Sequence, residues 1–271
     1  MSLKGRINDY AKKHGIAAQV VLQNYMFERF LERLSRSPYQ EKFVIKGGML
    51  VAAIVGLETR STMDLDTTLR GLSLTEGQVN EAVRSICGID LKDGVKFRVE
   101  SSARIRKEDR YGGFRVRMDA VYDSIVTPLS IDISTGDVMT PSAVSYQFIG
   151  LFDKNIRIRL WGYNIETVMA EKAETILSRG VFSTRPRDYY DIYILTTTRQ
   201  YDIALFREAL TATAEHRGSA AVLSTPKAIL EDIAASRDLR QSWEKYRKKF
   251  RYAQEITYEV VMNALHKLIF W

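Results

Sequence analysis

The stretch Phe43–Leu69, FVIKGGMLVAAIVGLETRSTMDLDTTL, decides how the chain is read. Phe43-Val44-Ile45 is a short apolar run of the kind that forms a buried strand. Lys46, Gly47 and Gly48 follow, and Met49–Ile54 then reads as the start of a buried helix. Met63-Asp64-Leu65-Asp66-Thr67 alternates and marks a second strand. On such a strand Asp64 and Asp66 share one face, with Met63 and Leu65 on the other. Two neighbouring carboxylates repel each other. A divalent cation that prefers hard oxygen ligands offsets the repulsion, and Mg2+ is the expected ion. Gly47 and Gly48 carry no Cβ, so backbone amides can approach a phosphate closely, and the following helix aims its N-terminal dipole at the same place. Arg60 and Thr62 lie between the two features, and both can meet a phosphate. A Gly-Gly pair occurs in many turns, and Asp-x-Asp also suits an edge strand with a solvated face. Their order within one strand-helix-strand unit favours a nucleotide site.

KGGML followed by RSTMDLD resembles the nucleotidyltransferase toxins of the AbiEii/AbiGii family, within the polymerase-beta-like nucleotidyltransferase superfamily. That superfamily carries Gly-Ser or Gly-Gly, a spacer, then Asp-x-Asp. The resemblance continues through Tyr25-x-x-Glu28-Arg29-Phe30-Leu31, AEKAETILSRG and RPRDYYDIYIL, up to about residue 200. One departure is Met49, which stands where the wider superfamily often has Ser or Thr, so a hydroxyl contact to phosphate is lost.

Composition narrows the classes. A chain of 271 residues can bury one large core or two small ones. The single cysteine, Cys87, excludes a disulfide framework and fits a reducing, cytoplasmic setting. His14, His216 and His266 are too scattered for a zinc site. The longest apolar stretch, Met49–Leu57, is too short to span a bilayer. The net charge of +7 favours a polyanionic partner.

Outward from the central stretch, residues 3–36 read as one amphipathic helix that ends at Pro38. Ser73 or Thr75 caps a helix through Ile86, closed by Gly88. Residues 95–105 and 114–122 alternate about a turn containing Gly112-Gly113, which predicts a hairpin. Arg104, Arg106, Lys107, Arg110, Arg115 and Arg117 sit on it, as a solvated surface or a binding one. Leu129–Ser134 alternates again and places Asp132 opposite Leu129, Ile131 and Ile133. Asp132 is either an exposed acid on an amphipathic strand or a third carboxylate beside the first pair. The resemblance matches it to the third aspartate of the superfamily. A further hairpin spans 144–161, and at Gly162 the period changes from 2 to 3.6, which sets a domain boundary there.

In NIETVMAEKAETILS, residues 164–178, apolar side chains form a single stripe, and Lys172 lies in it or at its margin. A buried ammonium needs an anion, either a carboxylate or a phosphate, unless its head snorkels to water. On the next helix Asp188, Asp191, Ile192 and Leu195 share a face. Asp188 is also a good N-terminal cap. The resemblance makes Lys172 and Asp188 catalytic and leaves Asp191 catalytic or structural. Residues 237–252, RDLRQSWEKYRKKFRY, interleave basic and aromatic residues. That pattern suits RNA, and equally an amphipathic helix with a solvated basic face.

The expected fold is α+β: a mixed-sheet nucleotidyltransferase domain over residues 1–162, then a helical domain over 163–271 that contributes Lys172 and Asp188 to a site between the two. Asp64, Asp66 and Asp132 are the expected metal ligands, and Lys46, Gly47, Gly48, Arg60, Thr62 and Lys172 the nucleotide contacts. The resemblance implies transfer of a nucleotide from a nucleoside triphosphate to an RNA acceptor, a tRNA 3′ end, by a toxin with a cognate antitoxin that is a transcriptional regulator. The alternatives are a non-catalytic RNA- or protein-binding module and a small-molecule nucleotidyltransferase.

Overall fold

The computed structural model describes residues 2–71, 75–105 and 112–270. The chain divides into two units: Met1–Asp137 with Ala143–Tyr163, and Val138–Ser142 with Asn164–Trp271. Ser73, Arg106, Lys107 and Arg110 lie outside the described residues.

The first unit opens with a departure from the sequence reading. The long N-terminal helix is two, α1 (Leu3–His14) and α2 (Ala18–Ser35). Gly15 ends α1 in the left-handed region, φ +66°, and its N–H returns to the Ala11 carbonyl. Lys12, Lys13 and His14 fill the last turn, where cations suit the helix dipole. The apolar stripe simply resumes beyond the break.

Seven strands then build one mixed sheet in the order β3-β4-β5-β2-β1-β7-β6. They are β1 (Phe43–Lys46), β2 (Leu65–Leu69), β3 (Val95–Ile105), β4 (Gly113–Tyr122), β5 (Ile125–Thr135), β6 (Val144–Ile149) and β7 (Arg157–Gly162). The β2–β5 and β1–β7 pairs are parallel; the others are antiparallel. Helix α3 (Gly47–Val55) links β1 to β2. Helix α4 (Glu76–Cys87), capped by the Thr75 hydroxyl, packs on β3 through Val79, Val83 and Ile86.

The core lies between α2 and the sheet. Met26, Phe27, Phe30 and Leu34 are fully buried, as are Ile45, Leu65, Val116 and Ile131. Arg33 is buried with them. Its guanidinium meets Asp93 bidentately at 2.8 and 2.9 Å and donates to the Val95 carbonyl. That pairing offsets the cost of taking the charge out of water.

The second unit is helical: α5 (Ile165–Arg179), α6 (Pro186–Thr198), α7 (Ile203–His216), α8 (Pro226–Ala235), α9 (Arg237–Lys249) and α10 (Tyr258–Phe270). Asn164 caps α5 through the Thr167 N–H, and its amide holds the Thr140 and Ser142 carbonyls. Those bonds tie the short segment 138–142 to this unit. In α9 the aromatic residues of the basic segment turn inward. Trp243 and Tyr246 are buried, Trp243 donates to the Ile256 carbonyl, and Tyr246 packs against Phe250 and Tyr190. The outer face, with Lys245, Lys248 and Lys249, is exposed. The two aromatic residues of α9 are therefore core, while Phe250 and Tyr252 beyond it are half-buried. No helix among the described residues is long and apolar enough to cross a membrane.

Candidate active site

The site grows from the junction of β1 and α3. Gly47 adopts φ +64°, where an L-residue with a Cβ is strained. A Cβ there would also fall inside the van der Waals envelope of Asp66 Oδ2. A Cβ on Gly48 would stand 2.9 Å from Thr62 Oγ1 and 3.1 Å from Arg60 Nη2. The two glycines thus leave room for three side chains: the Asp66 carboxylate, the Thr62 hydroxyl and the buried Arg60 guanidinium. All of them meet at the N-terminus of α3, where the amides and the helix dipole favour negative charge.

The second strand is shorter at its start than its alternation suggests. β2 begins at Leu65, so Asp64 precedes it and is exposed, while Asp66 is half-buried. The approach to the strand is fixed from α2. Asn24 donates to the Thr62 carbonyl at 2.7 Å, and Gln23 donates to the Met63 carbonyl at 3.1 Å.

Register then sets a row across the sheet. Lys46 pairs with Asp66, Asp66 with Asp132, and Asp132 with Arg115. Directly opposed residues share a face, so the row presents Lys46, Asp66, Asp132 and Arg115 together. Asp132 is held bidentately by Arg115, with both contacts at 2.7 Å. Hydrogen bonds from Arg115 to Asp132, the Asp132 charge and then the charges of Asp64 and Asp66 raise the Arg115 pKa. All three carboxylates therefore act on one guanidinium. Arg115 is exposed, as the sequence allowed, but it is also paired with Asp132; the signal that marks that pairing is register, which local alternation does not carry.

Lys46 is engaged elsewhere on this face. Its Nζ lies 2.5 Å from Asp137 Oδ2, and Ser134 donates to the same carboxylate at 2.6 Å. Burial raises the Asp137 pKa, but the Lys46 charge and the hydrogen bonds from Lys46, Ser134 and Thr68 outweigh it and hold the group at about 2. Asp137 escapes a sequence reading because it lies 91 residues from its partner. Met49 is 6 % exposed and lines a cavity of about 730 Å3 with Leu31, Ala52, Phe148 and Phe152.

No group of three His, Cys, Asp or Glu side chains among the described residues is gathered as a metal site. Asp132 has each of its carboxylate oxygens in a hydrogen bond from Arg115. Asp64 and Asp66 still supply hard carboxylate oxygens of the type Mg2+ takes. The donor set thus suits a divalent cation through that pair.

In the second unit Lys172 does not snorkel. It is 9 % exposed, and its Nζ sits 2.9 Å from Asp188 Oδ1 and 2.6 Å from Asp191 Oδ2. Arg185 Nε meets Asp188 Oδ2 at 2.9 Å. Two cations and two carboxylates balance, with both aspartates buried. Asp191, which the sequence left between catalysis and structure, is a direct partner of the lysine.

Residues 29–264 match the family model described as nucleotidyl transferase AbiEii toxin, type IV toxin–antitoxin system. No curated protein matches the chain. Among solved structures, a candidate nucleotidyltransferase from H. pylori is 17 % identical, with 93 % of this chain and 99 % of that chain covered and a TM-score of 0.47. JHP933 from Helicobacter pylori is 17 % identical over 88 % of this chain and 98 % of that one, TM-score 0.45. An antigenic nucleotidyltransferase-like protein from Paracoccidioides brasiliensis is 12 % identical over 66 % and 82 %, TM-score 0.38.

Proposed function

The chain belongs to the AbiEii family of nucleotidyltransferase toxins of type IV toxin–antitoxin systems, and on that premise we propose that it transfers a nucleotide from a nucleoside triphosphate to the 3′ end of an RNA, with tRNA as the acceptor class. One observation carries the reading: Gly47 and Gly48 leave space that Asp66, Thr62 and Arg60 fill at the start of α3. A triphosphate needs amides, a cation and a metal-binding carboxylate in one place, and these residues are the types it needs.

In this reading the Gly47 and Gly48 amides and Arg60 receive the phosphate oxygens, and Thr62 adds a hydroxyl contact. Lys46, paired with Asp137, contributes positive charge behind them. Asp64 and Asp66 would hold Mg2+, with Asp132 as the further carboxylate on the same face, and the bound ion would neutralise phosphate charge and lower the pKa of the attacking hydroxyl. The acceptor hydroxyl gives its proton to a carboxylate of this face or to solvent as its oxygen attacks the α-phosphorus; the bond to the β-phosphate oxygen breaks, and pyrophosphate leaves. In the helical unit Asp188 and Asp191 position the Lys172 ammonium, the group that the family resemblance makes catalytic. The cellular counterpart is an antitoxin protein, of the transcriptional-regulator kind.

The test is incubation with total RNA, Mg2+ and each labelled nucleoside triphosphate in turn. Label should enter RNA, tRNA foremost, and periodate oxidation of the RNA 3′ ends beforehand should abolish it. Undiminished labelling of periodate-treated RNA would overturn the 3′-end reading.

A further inference from the structure

Phe182 is 86 % exposed, the highest value among the exposed large apolar side chains of the described residues; Val126 follows at 54 %. Folding therefore gains almost nothing from its ring. The backbone that carries it is nonetheless anchored on both sides. Gly180 ends α5 with φ +50°, and its N–H returns to the Ile176 carbonyl. A single 3-10 turn, Gly180–Phe182, follows and packs on α8. The Ser183 N–H closes that turn on the Gly180 carbonyl at 3.2 Å, Ser183 is buried, and Pro186 starts α6. A phenyl ring is thus held out into water by a built turn.

The sequence that flanks it is cationic. Residues 179–187, RGVFSTRPR, hold Arg179, Arg185 and Arg187 and no acid, and all three arginines are exposed. Arg185 also reaches back to Asp188, which joins the turn to the Lys172 pair. An aromatic face in water on a segment rich in exposed arginines has the chemistry that recognises an unpaired base together with its phosphates. We propose that Phe182 is a stacking platform for an unpaired base of the RNA acceptor, with Arg179 and Arg187 on the neighbouring phosphates. The proposal rests on the RNA-acceptor reading above. Val181 beside it is exposed as well, but two side chains make a small apolar patch, and the arginines that flank it in sequence suit a polyanion better than an apolar protein face.

The experiment measures binding of a short, fluorescein-labelled single-stranded RNA to the full chain as Phe182→Ala, Phe182→Trp and Arg179→Gln/Arg187→Gln. Phe182→Ala should weaken binding about 5- to 150-fold, the scale of one lost base stack, and raise KM for RNA while KM for the nucleotide holds. Phe182→Trp should bind like wild type or better. The double arginine variant should lower the salt slope by about one per lost phosphate contact. Melting should not change, because the ring is not packed. Wild-type RNA affinity in Phe182→Ala would overturn the proposal, as would unchanged RNA binding with loss of an antitoxin contact. If Phe182→Ala fails while wild type labels RNA, the platform falls and the transfer reading stands. If the ring binds RNA but no label is transferred, the reverse holds.

Discussion

Replacing Gly47 by alanine perturbs the site through two separable terms. The first is backbone strain, since φ is +64° at this position; a side chain in the left-handed region costs about 1–2 kcal/mol. The second is the collision of the new Cβ with Asp66 Oδ2; forcing a packed neighbour to shift costs about 1–3 kcal/mol. Together they predict a loss of about 2–5 kcal/mol. A loss of about 3 kcal/mol lowers the melting temperature by roughly 6–12 °C for a domain of this size. Displacing Asp66 by about 1 Å should cost on the order of a hundredfold in transfer rate. Chemical denaturation of Gly47→Ala, Asp66→Ala and the double variant separates the terms. Removing the carboxylate relieves the Oδ2 collision but leaves the Asp66 Cβ contact at 3.0 Å and the strain, so the double variant should be more stable than the sum of the singles by about 1 kcal/mol. A Gly47→Ala protein with wild-type stability and activity, or a strictly additive cycle, would refute the account of this turn.

Asp64→Asn and Asp66→Asn should each abolish transfer and leave the fold intact, read by label incorporation beside circular dichroism; full activity in either would exclude the pair as metal ligands. Lys172→Met takes from the buried Asp188 and Asp191 the ammonium that both contact, so denaturation should show a loss of roughly 3–5 kcal/mol; an unchanged midpoint would contradict the buried pairing. Asp137, held at about 2 against an ordinary 3.8, is a depressed carboxylate. Its contribution of about 2 kcal/mol is fully present above the ordinary value and is lost as pH falls through about 2. Stability measured between pH 5 and pH 2 should therefore fall less steeply in Asp137→Asn, and equal slopes would refute the Lys46–Asp137 pairing.

The strand-helix-strand unit from Phe43 to Asp66 was legible because its signals are local: a short apolar run, two glycines, then alternation. Lys172 was legible for the same reason, as a cation inside a helical stripe that needs an anion. Gly15 carried a stop signal behind three basic residues, but the apolar stripe continues past it and masks the break. The Arg115–Asp132 pair was not legible. It depends on the β4–β5 register, set by a turn in which Asp123 takes φ +51°, and a slip of one residue would turn both side chains to the other face. Lys46 and Asp137 meet only through the sheet order. The segment 237–252 suited RNA stacking and an amphipathic helix equally, because alternation of basic and aromatic residues does not say which face is covered; the packing of Tyr190 against Tyr246 and Tyr252 turns the α9 aromatics inward.

The central claim is nucleotidyl transfer at the Gly47–Gly48 turn, and the position of the label tests it most directly. Wild-type protein is incubated with RNA, Mg2+ and a nucleoside triphosphate labelled at either the α- or the γ-phosphate, with Asp66→Asn alongside. The account predicts that α-label enters RNA, that γ-label leaves as pyrophosphate, and that Asp66→Asn does neither. Transfer of γ-label to RNA, or α-labelling at the wild-type rate by Asp66→Asn, would contradict it.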